Sequence, residues 1–313
     1  MTTQALTRTA YIFPGQGSQA VGMGRDLYDA SPAAKAVFDE VDDTLNRKLS
    51  WLMFEGPSDE LTRTENAQPS ITAVSLAVWK AIEEITGRTP KPDFVAGHSL
   101  GEYTALAVSG VLSVPDTMRL VVERSRLMQH ACDERPGGMA ALIGIDEITV
   151  EDVCRETGTY ISNVNSGEQI IISGEHMSLA RAIDLAAARG ARKAIPLSVG
   201  GAFHSGLMAP AQHGLNDVIA GLRFSEPAVP IIANVDARAM TSAKDIREEL
   251  RLQLTSCVQW KRSVDAMTSR GVGTFVEIGP GRVLSGLVKR IEKSAVVMSA
   301  GDMQTVRTLA AAA

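Results

Sequence analysis

The sequence predicts an α/β protein in which a mostly parallel sheet is covered by helices and carries a small inserted subdomain. Two observations predict it. Short apolar runs alternate with helix-forming stretches at both ends of the chain, the pattern of parallel strands joined by helical crossovers. Between them the rhythm changes to strand, helix, strand, strand, helix, strand, which is the ferredoxin-like βαββαβ order. The 313 residues are enough to bury a sizeable core, in one large domain or two smaller ones.

Taken in order, Tyr11-Ile-Phe13 reads as a strand followed by the turn Pro14-Gly-Gln-Gly17. Ser31-Pro32 opens a helix, with serine as N-cap and proline at the first helical position. Phe94-Val-Ala96 is a second strand, residues 100–111 are rich in helix formers, and 116–131 form a further helix. The middle contributes a strand at 140–145, a helix at 150–157 and strands at 160–163 and 169–173. A helix at 177–189 and a strand at 192–199 complete it. Pro136-Gly-Gly138 and Gly200-Gly201 bound this unit. The expected division is a discontinuous large domain, 1–136 and 200–313, with an insert of 137–199. A glycine-hinged insert forms one wall of a cleft, and ligand sites favour such junctions. The α/β alternation returns as strand 230–235, helix 245–254, strand 274–278, turn Gly279-Pro-Gly281, helix 282–293 and strand 295–298.

Composition excludes several classes. With 31 basic and 36 acidic residues the net charge is -5, which argues against a nucleic-acid partner. No apolar run reaches the roughly 18 residues of a membrane span. The N-terminal MTTQALTRTA lacks the apolar core of a secretory signal, so a cytoplasmic protein is expected. Cys132, Cys154 and Cys257 are too widely spaced for a metal knuckle or redox pair and are expected to be reduced structural thiols. The alanine run 310–313 reads equally as a helix end or an added tail.

The chemistry begins at Gly97-His-Ser-Leu-Gly101, a G-x-S-x-G pattern between a strand and a helix. A serine on such a sharp turn crowds the residues two before and two after it, so both must be small. Ser99 is therefore the candidate nucleophile, weighed against a glycine-flanked turn without chemistry. Its place at a helix N-terminus makes the Leu100 N–H a candidate oxyanion donor. His98 is adjacent to Ser99, and adjacent side chains on such a turn diverge, so a packing or supporting role is expected. Gly15-Gln-Gly-Ser-Gln-Ala20 satisfies the dinucleotide fingerprint, with Asp39 near the ribose-binding distance. Pro14 before the first glycine and the helical surroundings of Asp39 count against that reading. The other use of the loop is to bring the Gln16 N–H to Ser99 as a second oxyanion donor.

In the helix over 116–131, Arg119, Glu123, Arg126 and His130 share one side, and Leu120, Leu127, Met128 and Ala131 the other. Arg124 projects among the second set. A guanidinium there requires an anionic partner, either an internal carboxylate or the carboxylate of a substrate. Of the five histidines, His130, His176 and His213 suit the surface. His204 follows the last subdomain strand at the glycine hinge and is the candidate base, weighed against a capping or core role. No acid between Ser99 and His204 stands in an obvious position after a strand, so a backbone carbonyl is expected to orient the ring.

FPGQGSQ (13–19), GHSLGEY (97–103), the ERSRLMQ segment around Arg124, GAFHS (201–205), QLTSCVQW (253–260) and EIGPGRVLSGL (277–287) run in one order over the chain. Together they resemble the malonyl-CoA:acyl carrier protein transacylase family. The resemblance implies an α/β-hydrolase-like large domain with a ferredoxin-like insert. It implies Ser99 as the acylated nucleophile, His204 as base, and the backbone N–H groups of Gln16 and Leu100 as the oxyanion hole. Arg124 would hold the malonyl carboxylate, and the main-chain carbonyl of Gln253 would orient His204. Leu100 and the Ala202-Phe203-His204 run look like the malonyl-selective version. Phe203 would crowd an α-methyl branch, and one methyl is worth about 1–3 kcal/mol. Thr255-Ser-Cys257 departs from the family's YNP-like segment, so that loop is expected to sit differently. The implied reaction passes malonyl from malonyl-CoA to the phosphopantetheine thiol of acyl carrier protein, for fatty acid or polyketide synthesis. No metal or other cofactor is implied. Lys289 and Arg290 would dock the acidic carrier protein, and a monomer is expected. The alternative is a serine thioesterase or esterase of related fold, which has no need of a buried Arg124.

Overall fold

The strands form where apolar residues run short and β-branched between turn signals, and the computed structural model of the chain describes residues 8–312. Residues 1–7, which open the segment read above as lacking a secretory signal, and Ala313 lie outside the described residues. In chain order the strands are β1 (Arg8–Phe13), β2 (Phe94–Gly97), β3 (Gly137–Ile143), β4 (Tyr160–Ser166) and β5 (Gln169–Glu175). They continue as β6 (Lys193–Pro196), β7 (Ile231–Ile232), β8 (Ala239–Met240), β9 (Val272–Ile278) and β10 (Val296–Ala300).

Six of them make one sheet in the order β10-β9-β1-β2-β7-β8, parallel except for the β7–β8 edge pair. All four residues of β2 are buried, as expected of a parallel strand covered on both faces. The other four make an antiparallel sheet in the order β4-β5-β3-β6. The helices Glu147–Thr157 and His176–Ala188 join these strands, which is the ferredoxin-like arrangement. This sheet has its own apolar cluster, including Leu142, Val150, Ile172 and Ala182. A backbone bridge between Asn163 and Val258 ties it to the rest of the chain.

Two expected elements are shorter than their sequence suggests. The strand expected over 230–235 ends at Ile232, because Asn234 turns its amide groups toward a carboxylate below instead of toward a neighbouring strand. The helix expected over 245–254 stops at Leu250 and is followed by a 3-10 turn, Gln253–Thr255, that presents backbone carbonyls inward. The long helix Thr64–Thr86 is not among the elements expected from the sequence. Every residue from Asn66 to Trp79 is buried, so it lacks the one-sided apolar stripe that marks a surface helix.

β2 runs directly into the helix Leu100–Val108 through Ser99, which holds a positive φ of 50° with ψ −103°. A Cβ at Gly97 would stand 1.9 Å from the Gly101 carbonyl carbon, and one at Gly101 would stand 2.0 Å from the Phe13 carbonyl oxygen. Both contacts are with backbone, which cannot give way. Gly97→Ala should therefore destabilise the protein by at least about 3 kcal/mol in urea unfolding. Gly286→Ala, inside the helix Val283–Ile291 where a Cβ meets nothing, should leave stability unchanged or raise it by about 0.5–1 kcal/mol. Equal midpoints for the two variants would contradict the crowding argument.

Candidate active site

Ser99 stands at the floor of a cleft of about 620 Å³ whose lining comes from both sheets. Gln16 and Gly17 line it from the loop after β1, Asn163 and Asn165 from β4, and Leu197 and Val199 from the segment after β6. Of the residues predicted for the site, Gln16, Ser99, Leu100, Arg124, Phe203 and His204 all line this cleft, and Gln253 lies buried beneath it.

The Ser99 hydroxyl meets His204 Nε2 at 2.7 Å and accepts from Arg124 Nη2 at 2.9 Å. Its backbone N–H is taken by Asn234 Oδ1 at 2.7 Å. The Leu100 N–H begins the helix and so has no acceptor one turn earlier in it. The loop carrying Gln16 is pressed onto the elbow, since a Cβ on Gly15 would come within 2.7 Å of the His98 carbonyl oxygen.

His204 is buried, in the left-handed conformation at φ 54°. Its Nδ1 faces the carbonyl oxygens of Gln253 at 3.0 Å and Ser256 at 3.1 Å. Two acceptors on one side require the hydrogen on Nδ1, which leaves the Nε2 lone pair for the Ser99 hydroxyl. Burial, and then the charge of Arg124, lower its pKa to about 3. The ring is held neutral and oriented by carbonyls. The segment Thr255-Ser-Cys257, singled out as a departure from the family pattern, supplies one of them through Ser256.

Arg124 is 1% exposed, on the inward side of the helix Val114–Glu134. Its Nη1 donates to Gln68 Oε1 at 2.6 Å, and its Nη2 donates to Ser99 Oγ and to Gln253 Oε1 at 3.3 Å. The guanidinium lies 5.0 Å above the Tyr103 ring, and its Nε has no hydrogen-bond partner among the described residues. Burial lowers its pKa and nearby Tyr103 and Glu102 oppose that shift. Among the described residues the internal salt bridge considered from sequence is not formed, for each acceptor on the guanidinium is a neutral oxygen.

His98 turns away from the Ser99 hydroxyl, with Nε2 2.9 Å from Asn165 Oδ1 and 3.2 Å from Asn163 Nδ2, and its ring against Trp260. Asp39 lies on the outer face of the helix Pro32–Leu45, bound to Lys35 and Tyr28. The loop after β1 continues through turns to Gly24 before any helix. Both facts remove the dinucleotide reading. The Lys289 ammonium donates to the Ala295 carbonyl at 2.6 Å, so only Arg290 of that pair extends from the helix end without such a tie.

The acyl transferase domain family matches residues 10–310. A Bacillus subtilis protein named malonyl CoA-acyl carrier protein transacylase is 45% identical over 306 residues, covering 96% of each chain. The chain belongs to the malonyl CoA-acyl carrier protein transacylase family. Solved structures of such transacylases agree with the fold. The acyl-carrier-protein-S-malonyltransferase of Bartonella henselae superposes with a TM-score of 0.93 at 41% identity, over 98% of this chain and 99% of that one. A malonyl-transacylase solved in complex with a type II polyketide synthase acyl-carrier protein gives 0.94 at 39% identity, over 98% and 100%.

Three residues of this transacylase site carried no signal strong enough to be picked out from sequence. Gln68 holds Arg124 from a helix whose burial on all sides leaves no contrasting face to mark it. Asn234 holds the Ser99 N–H from the residue where a strand was expected to continue. Glu102, the one charged residue of the apolar helix Leu100–Val108, accepts from Asn234 and Gln253. With the pKa of His204 depressed, its neutral form persists well below the ordinary value of about 6.5. Labelling of Ser99 by a serine-directed acylating reagent should therefore stay level from about pH 8 to about pH 5.5. A fall in rate centred near 6.5 or above would contradict the assignment of the ring as a buried neutral base.

Proposed function

We propose that this enzyme moves a malonyl group from malonyl-CoA to the phosphopantetheine thiol of acyl carrier protein, through a malonyl ester on Ser99. The observation that carries the reading is Arg124, a buried guanidinium held against the nucleophile with no carboxylate of its own. An acyl group that ends in a carboxylate satisfies it, and an uncharged acyl group does not.

In the first half-reaction His204 Nε2 takes the Ser99 proton as Oγ attacks the thioester carbon. The oxyanion is met by the N–H groups of Leu100 and Gln16, two residues of the cleft lining. The tetrahedral intermediate collapses, coenzyme A leaves as the thiol with the proton from His204, and Arg124 keeps the malonyl carboxylate in place. In the second half-reaction the carrier thiol gives its proton to His204 and attacks the ester, and Ser99 is released with that proton. The carbonyls of Gln253 and Ser256 keep the ring in the same tautomer throughout, so one base serves both directions. Acid–base chemistry by Ser99 and His204 suffices for transfer between two thiols, and the reading calls on no metal or other cofactor. Phe203, buried in the cleft lining, would crowd an α-methyl branch.

The reading extends to the setting. Residues 137–199 act as an inserted domain that supplies one cleft wall, with 1–136 and 200–313 as the catalytic body. The helix Val283–Ile291 lines the cleft at its start and carries exposed Arg290 near its end, which suits an acidic carrier protein. Among the described residues no helix is long and apolar enough to cross a membrane. A cytoplasmic monomer that supplies fatty acid or polyketide synthesis fits these features.

Incubation with malonyl-CoA should add one malonyl group by intact mass, and Ser99→Ala should abolish the adduct and all transfer to purified acyl carrier protein. Rapid release of free malonate without carrier protein would mark a hydrolase instead. Arg124→Ala should lower kcat/KM for malonyl-CoA by roughly 100-fold or more and erase the preference for malonyl over acetyl groups. An unchanged preference would rule out the clamp.

A further inference from the structure

Glu102 is fully buried beneath the elbow, and only N–H donors converge on its carboxylate among the described hydrogen bonds. Oε1 accepts from the Asn234 backbone N–H at 2.9 Å and from Asn234 Nδ2 at 3.0 Å, and Oε2 accepts from Gln253 Nε2. Both partners reach on to the site. Asn234 Oδ1 receives the Ser99 N–H, and its Nδ2 also donates to the Gly97 carbonyl at 2.7 Å. Gln253 Nε2 also donates to the Ser99 carbonyl at 3.1 Å, its Oε1 receives Arg124 Nη2, and its main-chain carbonyl receives His204 Nδ1–H.

We propose that Glu102 is a positioning residue for transacylation, one carboxylate that sets the polarity of two amides and through them aligns Ser99, His204 and Arg124. The inference rests on the transacylation reading above.

A side-chain amide has one donating and one accepting end, and either end fits the same space. Gln253 must aim its oxygen at Arg124 and its nitrogen at the Ser99 carbonyl. A flipped amide would set oxygen against that carbonyl and N–H against the guanidinium. Asn234 must likewise aim its oxygen at the Ser99 N–H and its nitrogen at the Gly97 carbonyl. A carboxylate accepts on both oxygens, so it stabilises the required orientation of both amides at once. No other side chain of this size does so. Burial, and next the charge of Glu249, hold the Glu102 pKa well above the usual carboxylate value, and the Gln253 and Asn234 donors offset only part of that rise. The carboxylate answers three donors, two on Oε1 and one on Oε2, so each N–H that reaches Glu102 finds an acceptor there.

Glu102→Gln has the same shape and tests this directly. Whichever way the new amide turns, its NH2 meets a donor, so Gln253 or Asn234 must let go. The variant should keep a cooperative thermal transition. Its rate of malonyl-serine formation, measured in single turnover per titratable serine, should fall about 10- to 100-fold, the range for losing one buried hydrogen bond to a charged group. Labelling by a serine-directed reagent should slow as well. KM for malonyl-CoA should rise while that for acetyl-CoA does not, because only malonyl uses Arg124. Glu102→Asp, which keeps the charge at shorter reach, should recover part of the rate. If Glu102→Gln does not fold, Glu102→Asp carries the same KM-against-kcat comparison.

Acylation by folded Glu102→Gln at the wild-type rate would overturn the proposal. So would an equal loss with both acyl groups, at unchanged KM and without recovery in Glu102→Asp, since that marks a merely structural lesion. Wild-type enzyme that takes up no malonyl group while Ser99 still labels would overturn the transacylation reading itself. Wild-type malonylation with full-rate Glu102→Gln would overturn the positioning role alone.

Discussion

A guanidinium sealed from water without a carboxylate against it is the constraint around which this site is built. Arg124 gives up its hydration and, among the described residues, receives in return the neutral oxygens of Gln68, Gln253 and Ser99, with its Nε left unanswered. Such an arrangement persists only where the surrounding elements are rigid and their amides cannot turn freely. The buried helix Thr64–Thr86 supplies Gln68, and the 3-10 turn Gln253–Thr255 supplies Gln253. The same charge adds to the effect of burial in depressing the pKa of His204, and it holds the Ser99 hydroxyl. On the proposed reading, an incoming malonyl carboxylate completes the coordination that the protein leaves open.

Backbone strain and polar satisfaction are balanced in the same few residues. Ser99 and His204 both hold positive φ angles that residues with side chains avoid. Each is over-determined by its neighbours. Asn234 and Gln253 grip the Ser99 N–H and carbonyl, while Gln253 and Ser256 grip the His204 ring. The absence of side chains at Gly97 and Gly101 lets the loop after β1 and the helix Leu100–Val108 approach to backbone contact. That approach brings Gln16 and Leu100 to the same cleft.

The parts of this site legible in the sequence were those enforced by local sterics or by periodicity. Gly97 and Gly101 around Ser99 announced a crowded turn, and Arg124 announced itself by standing among Leu120, Met128 and Ala131. His204 was legible from its place at a glycine hinge. Residues without such markers were not. Gln68 sits in a helix buried on all sides, where no face contrasts with another. Asn234 continues an apolar strand in composition, but its amide is drawn to Glu102. Lys289 is exposed, and the tie of its ammonium to the Ala295 carbonyl had no signal in the sequence.

By itself the sequence determined the alternation of strands and helices, the elbow at Ser99, a candidate base and a buried cation. Each of these follows from the short-range geometry of the chain, which neighbouring residues impose. Only the tertiary structure decided how they meet. The histidine tautomer, the neutral partners of Arg124 and the orientation of two amides depend on donors and acceptors 25 to 154 residues apart. A hydrogen bond has a direction, and a sequence lists the groups without saying which way they face. The fold sets that direction by packing Glu102 beneath the elbow.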